Sequence, residues 1–89
     1  MPRVIFTQNI QRHVACPETM VAGSTVREAL EAVFSENPQA RGYVLDDQGA
    51  LRRHMAVFVD GILVRDRTTL AEPVAPASTI HVFQALSGG

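Results

Sequence analysis

The sequence predicts an α+β fold, a mixed sheet with one covering helix, in a single domain. Segments rich in β-branched and aromatic residues alternate apolar with polar positions, as strands with one buried face do. One stretch between them repeats apolar residues at helical spacing, which indicates a helix with one apolar side. The 89 residues suffice for one modest core. We expect the domain to occupy residues 1–86 and a flexible tail to occupy residues 87–89.

The first quarter of the chain predicts a β-hairpin. Residues 3–8 are rich in strand-forming apolar side chains, and residues 18–22 form a second, shorter segment of this kind. Residues 9–17 between them are expected to be a connecting loop. The two strands are therefore expected to pair with each other.

The predicted helix begins after Thr25 and ends at Pro38. Thr25 and Glu28 fit a capping box, in which each side chain accepts a hydrogen bond from the backbone amide of the other. Arg27 and Glu31 are four residues apart on the polar side, where they can form an ion pair. The apolar side, which we expect to cover the sheet, consists of Val26, Ala29, Leu30, Val33 and Phe34.

The second half of the chain predicts three more strands. Residues 40–50 show no clear periodicity and are expected to be irregular. A strand is predicted within 51–60, and Asp60-Gly61 is a strong two-residue turn signal before a short return strand at 62–64. The last strand is predicted at 79–85. We expect it to lie beside the first strand, parallel to it, at the centre of the sheet.

The sequence closes on the final strand and two glycines. Leu86 is the last large apolar residue, and Gly88 and Gly89 have no Cβ atom that would keep the tail out of a narrow cleft. The carboxylate of Gly89 would be sterically open, and it becomes reactive once it is activated, for instance as an acyl-adenylate. Phe83 and Leu86 are candidate contacts for a partner beside that carboxylate. The plain alternative is that chain ends are often small and polar, and that Phe83 only packs on the sheet.

Composition excludes several classes of function. A net charge of −1 provides no basic surface for nucleic acid, so we expect no nucleic-acid partner. The single cysteine, Cys16, excludes an internal disulfide. No apolar run reaches membrane-spanning length and no signal-like segment opens the chain, so we expect a cytoplasmic protein without membrane contact. All eight basic residues are arginine, which leaves no lysine to which a second copy could be joined.

Other polar side chains form no recognisable catalytic or metal-binding motif. Cys16 follows His13 as H-x-x-C, but a metal site needs more ligands than these two, and the remaining alternative is a redox thiol. No nucleotide-binding glycine loop or Ser/His/Asp arrangement is present, so we expect no enzyme, no bound cofactor and no metal. Ordinary surface or turn roles are expected for His54, His81, Asp46-Asp47 and Arg52-Arg53. The alternative for the arginine pair is that it binds an acidic patch on a partner.

Three stretches resemble the ThiS/MoaD family of ubiquitin-like sulfur carriers. They are residues 21–30 (VAGSTVREAL), residues 57–61 with Val64-Arg65 (VFVDG…VR), and residues 80–89 (IHVFQALSGG). The resemblance implies the ubiquitin-like β-grasp fold. It also implies that a ubiquitin-activating-enzyme-like adenylyltransferase uses ATP to adenylate Gly89, with Gly88 giving access. Sulfur then replaces AMP, and the resulting thiocarboxylate donates it to an acceptor on a sulfur-accepting synthase.

The departures from the family pattern concern the pathway. Members that serve molybdopterin synthase often carry proline where Gln84 stands, and residues 43–53 form a longer stretch than in thiamine-type carriers. That stretch is similar to CysO-like carriers, which feed sulfur into cysteine. Two other functions stay open at this stage. One is a modifier joined through Gly89 to lysines of other proteins, and the other is a non-catalytic interaction domain that binds partners by its sheet.

Overall fold

The computed structural model describes residues 1–84 and shows one mixed five-stranded sheet with three helices. The predicted tail, with Ala85 and Leu86 before it, lies outside the described residues. The strands are β1 (Arg3–Phe6), β2 (Thr19–Met20), β3 (Met55–Val59), β4 (Ile62–Leu63) and β5 (Thr79–Gln84), and the helices are α1 (Gln8–Gln11), α2 (Val26–Glu36) and α3 (Pro38–Val44).

The strand order in the sheet is β2-β1-β5-β3-β4. β5 lies at the centre and pairs parallel with β1, which confirms the predicted neighbourhood of the first and last strands. The other pairs are antiparallel, including the predicted hairpin of β1 and β2 and the β3–β4 hairpin closed at Asp60-Gly61. Both turn residues have positive φ, 50° for Asp60 and 83° for Gly61, as this type of two-residue turn requires.

α2 covers one face of the sheet with the predicted apolar side. All five residues of that side are buried, and they pack on the inward side chains of the central strands, such as Val57, Ile80 and Val82. The Thr25 hydroxyl accepts a hydrogen bond from the Glu28 amide at 3.1 Å, as the capping box predicts. The Glu28 carboxylate, however, accepts from the amide of Ser24 at 2.8 Å instead of that of Thr25.

Two short helices correct the prediction, since α1 lies in the expected loop and α3 in the expected irregular stretch. Pro38 stands at the start of α3, where its missing amide hydrogen costs no helical hydrogen bond and its fixed φ favours the helix. Ala40 and Val44 follow one turn apart, and both are buried. The α+β class is confirmed, with α2 as the main cover and two small helices beside it. Within residues 1–84, no helix is long and apolar enough to span a bilayer.

The Arg27 guanidinium ties α2 to two loops. It contacts the Glu31 carboxylate at 3.2 Å, which confirms the predicted ion pair, and also donates to the carbonyl oxygens of Gly49 and, at 3.0 Å, Thr68. Glu31 in turn accepts two hydrogen bonds of 2.9 Å from Arg41 of α3. The bonds from Arg41, together with those from Arg27, hold the pKa of Glu31 below its usual value. This network joins both helices to the loops at one end of the sheet.

Asp66 closes the second of these loops. Its carboxylate accepts hydrogen bonds from the hydroxyl and, at 2.9 Å, the amide of Thr69, and from the amide of Thr68 at 3.2 Å. The Thr69 hydroxyl has the largest effect, and together these donors lower the pKa of Asp66 to about 2. The loop is thus held by the charged form of Asp66.

Candidate functional site

The structure describes one of the four residues predicted to carry the function. Phe83 lies on β5, whereas Leu86, Gly88 and Gly89 lie outside the described residues. Gln84 is the last described residue, five positions before Gly89. The surroundings of Phe83 and Gln84 therefore determine from which part of the surface the terminal residues continue.

Phe83 lies on the outer face of the sheet, opposite to α2. Ile80 and Val82 of the same strand are buried, and Phe83 alternates with them, so its side chain points away from the core. Its ring packs edge-on against Phe58 of β3, with 5.2 Å between ring centroids and 73° between ring planes. It is nevertheless 39% exposed. Phe83 therefore packs on the sheet, as the plain alternative expects, and also leaves part of its apolar surface exposed.

Phe83 belongs to an apolar patch on the outer face. Three strand pairings place Ile5, His81, Phe58 and Leu63 side by side in one row across β1, β5, β3 and β4. Directly paired residues point to the same face, and the His81 ring lies 5.9 Å from that of Phe83. Leu63 at the edge is 46% exposed. We call these five residues the outer-face patch.

Sequence reasoning missed Phe58 and Leu63 as members of the site. Phe58 does alternate with Val57 along the predicted strand, which indicates that it faces away from the core. The strand order, which brings it beside Phe83, is a property of the fold and has no local sequence signal.

On the other face of the sheet, the one that the helices cover, the end of β5 contacts a cluster of polar side chains. The Tyr43 hydroxyl of α3 donates a hydrogen bond of 2.7 Å to the side-chain oxygen of Gln84. His13, which follows α1, stacks on the Tyr43 ring at a centroid distance of 5.6 Å and an interplanar angle of 24°. His54, which precedes β3, meets the same ring edge-on at 6.5 Å. We call these four residues the strand-end cluster.

Cys16 does not have the surroundings of a reactive thiol. It is 1% exposed and belongs to the core, and burial raises the pKa of its thiol to about 11. Little thiolate therefore forms at neutral pH, which argues against the redox alternative. Between residues 1 and 84, no three histidine, cysteine or acidic side chains come together in a way that could hold a metal ion.

The other polar candidates take structural roles. The Asp46 carboxylate accepts the amides of Gln48 and Ala50 at 2.8 and 3.0 Å, which makes it a turn-forming residue, as expected. Arg52 donates to the carbonyl of Gly42 at 2.8 Å and so anchors α3. Cys16 belongs to the core and Asp46 to a turn, so neither is a functional residue. The described part of the candidate site therefore consists of the two sides of the β5 end.

The sequence matches one protein family over most of its length. The model of the ThiS family matches residues 8–89, which include β5 and both terminal glycines. No curated protein matches the chain by sequence.

Several solved structures share the fold. SAMP1, the small archaeal modifier protein 1 of Haloferax volcanii, is 26% identical with a TM-score of 0.78, and the superposition covers 99% of this chain and 98% of that one. CysO in the Amycolatopsis orientalis BexX/CysO complex is 22% identical with a TM-score of 0.83, over 100% of both chains. CysO of Mycobacterium tuberculosis is 17% identical with a TM-score of 0.80, over 97% of this chain and 100% of that one.

The two CysO structures, at these identities, establish the fold and leave the pathway open. Their TM-scores of 0.83 and 0.80 over nearly the whole of each chain show that they share the fold described above, the ubiquitin-like β-grasp fold. Together with the family match over residues 8–89, they confirm the resemblance found in the sequence. The chain belongs to the ThiS family of ubiquitin-like proteins.

Proposed function

We propose that this protein is a sulfur carrier that acts through the carboxylate of Gly89. The carboxylate attacks the α-phosphate of ATP in an adenylyltransferase of the ubiquitin-activating-enzyme class, and pyrophosphate leaves. Sulfide then displaces AMP and leaves a thiocarboxylate. With a persulfide as donor, an acyl disulfide forms first, and a thiol must reduce it. The protein itself carries the reacting group and binds no cofactor, since ATP is used by the partner.

The observation that carries this proposal is the match of the ThiS family to residues 8–89, which reaches Gly88 and Gly89. The fold supports it as well. The buried core of the described residues includes Ile80 and Val82 of β5, so the strand that leads to the terminal residues is anchored in the domain.

We further propose that Phe83 and Leu86 dock the partner. Phe83 brings the outer-face patch to the end of β5, next to the start of the terminal segment. The five residues that follow Gln84, ending at Gly89, span at most about 18 Å when fully extended. One partner can therefore hold the patch and receive the Gly89 carboxylate at the same time, which favours an activating enzyme or a synthase with a contact surface close to its active site.

The arginine-only composition fits an activated carrier. An acyl-adenylate reacts readily with amines, and a lysine on a neighbouring copy would be such an amine. All eight basic side chains of this chain are arginine, whose guanidinium stays protonated and is a poor nucleophile. The activated protein therefore has no lysine of its own with which to form self-conjugates. ATP-dependent activation also favours the cytoplasm as its location.

A second candidate is a protein modifier joined through Gly89 to lysines of other proteins. It is favoured by the 26% identity to SAMP1, a small archaeal modifier protein, over nearly the whole of both chains. The outer-face patch and the terminal glycines would serve the same activation step. The two functions differ only in the group that receives the activated carboxylate, sulfur in one case and an amine in the other.

Reconstituted activation separates these functions. The protein is incubated with ATP, sulfide and the ubiquitin-activating-enzyme-like protein of the same organism, and its intact mass is measured. We expect the exchange of one oxygen for one sulfur on Gly89, and no exchange in a variant that lacks Gly89. Conjugates to lysines of added cell extract, without any thiocarboxylate, would instead establish the modifier.

A third outcome supports the interaction domain. If the activating enzyme is not used at all, and partner binding is unchanged after removal of Gly88 and Gly89, both covalent functions are wrong. The sheet alone would then carry the function.

A further inference from the structure

β5 has a neighbouring strand on both sides along most of its length, but its end has a neighbour on one side only. β1 pairs with β5 only as far as Phe6 and Val82, after which the chain turns into α1. The last backbone bond on that side runs from the Thr7 amide to the Val82 carbonyl at 3.1 Å. Gln84 pairs with Met55, the first residue of β3, on the other side. The final two residues of β5 are thus held in the sheet from one side only.

Tyr43 supplies the contact that β1 no longer gives. Gln84 alternates along β5 in step with the buried Ile80 and Val82, so its side chain points to the same face of the sheet, the one that the helices cover. There the Tyr43 hydroxyl donates to it at 2.7 Å. The ring of Tyr43 stacks on His13 at 5.6 Å and meets His54 edge-on at 6.5 Å, and these contacts restrict its orientation. The hydroxyl is therefore held in place for Gln84.

We propose that Tyr43 is a positioning residue for the terminal segment, an inference that rests on the proposed carrier function. By holding the side chain of Gln84, it fixes the end of β5 and so the point from which the terminal residues enter the activating enzyme. Phe83 holds the same point on the outer face. Two opposite contacts on consecutive residues determine where the terminal segment begins.

The expected effect follows from the usual net contribution of one hydrogen bond, which corresponds to roughly a 2- to 12-fold change in an equilibrium constant. Tyr43→Phe removes the hydroxyl and keeps the ring beside the two histidines. The competent orientation of the β5 end becomes less populated by up to that factor, and the KM of the activating enzyme for this chain rises by up to the same factor. Once the chain is bound, the enzyme holds the terminal residues itself, so kcat is expected to stay unchanged.

Nuclear magnetic relaxation tests the contact without any partner. In Tyr43→Phe, the order parameters of the Gln84 backbone and side-chain amides should fall, while those of Ile80 and Val82 stay the same. Ser35→Ala is the matched control, because it also removes a hydroxyl donor to an oxygen at 2.8 Å, on the exposed side of α2. Unchanged order parameters at Gln84 in Tyr43→Phe would overturn the inference.

Pyrophosphate exchange with the activating enzyme and ATP tests the functional part. Gln84→Leu, which removes the acceptor, should raise KM as Tyr43→Phe does, and the double variant should be no worse than either single one. Gln84→Glu restores an acceptor oxygen, so in that background Tyr43→Phe should again raise KM. Equal KM values for Tyr43→Phe and the unmodified protein would refute the positioning role while leaving the carrier function intact.

The two failures are distinguishable. If the unmodified protein supports no exchange at all, the proposed carrier function is wrong, and the positioning role falls with it even where relaxation shows the Tyr43–Gln84 bond. If exchange occurs and depends on Gly89 but not on Tyr43, only the positioning role is wrong.

Discussion

Replacing Phe83 by alanine should weaken partner binding while the domain stays folded. Complete burial makes a phenylalanine-to-alanine change cost roughly 3–5 kcal/mol of unfolding free energy. Phe83 is 39% exposed, so in proportion to its buried fraction the loss is at most about 2–3 kcal/mol. Its edge-on contact with Phe58, at 5.2 Å, contributes part of this amount. The domain should therefore stay folded at ordinary temperature.

The loss in binding free energy is expected to be of similar size, and it appears directly in the dissociation constant. An aromatic anchor at the centre of an interface typically costs 2 kcal/mol or more when truncated, which is about 30-fold in the dissociation constant. Ile62→Ala is the matched control, since Ile62 is 73% exposed on the edge strand β4 and is not part of the outer-face patch. Leu86→Ala, the other proposed docking contact, should act in the direction of Phe83→Ala.

Isothermal titration of the activating enzyme with each variant, beside urea denaturation of the same samples, measures both quantities. We expect a loss of about 30-fold or more for Phe83→Ala and little change for Ile62→Ala. Binding of Phe83→Ala that equals the unmodified protein, with an intact fold, would refute the docking role of the outer-face patch.

Four further predictions concern the scaffold. Arg27→Ala should lower the unfolding free energy in urea by roughly 2–3 kcal/mol, and Arg27→Lys by less, because lysine keeps the charge but loses the branched set of donors. Gly23→Ala should destabilise by about 1–3 kcal/mol, since the new Cβ would stand 2.8 Å from the backbone nitrogen of Ala29. Gly42→Ala in α3 meets nothing within 4 Å and should instead raise the melting temperature, with a gain of about 0.5–1 kcal/mol. Asp66, whose folded-state pKa is lowered from 3.8 to about 2, binds its proton more readily in the unfolded chain, so stability should fall as pH falls through that interval. In Asp66→Asn the melting temperature should depend less on pH over that interval. A pH dependence equal to that of the unmodified protein would contradict the stabilising role of the Asp66 carboxylate.

The parts of the fold that the sequence predicted are those with a strong local pattern. The apolar side of α2, the N-cap at Thr25 and the Asp60-Gly61 turn each depend on side chains a few residues apart, and each is found as predicted. The sequence does not predict α3, because Asn37-Pro38 is also the usual signal for the end of the preceding helix. The same proline also begins α3, and Gly42 within that short helix weakens its pattern.

The candidate site was predicted in part for the same reason. Phe83 could be chosen from its place near the terminal glycines, and the structure shows it partly exposed. The Tyr43–Gln84 bond joins residues 41 positions apart, and its formation depends on α3, whose presence was not foreseen. Contacts of this range follow from the complete fold and leave no local sequence signal.

The intact mass of the protein purified from its own cells, with strong nucleophiles excluded, tests the central claim most directly. We predict a species in which one oxygen is replaced by sulfur, localised to Gly89 by fragmentation. A protein that is found only as the free acid, and that forms no acyl-adenylate with ATP and the activating enzyme, would contradict the carrier function.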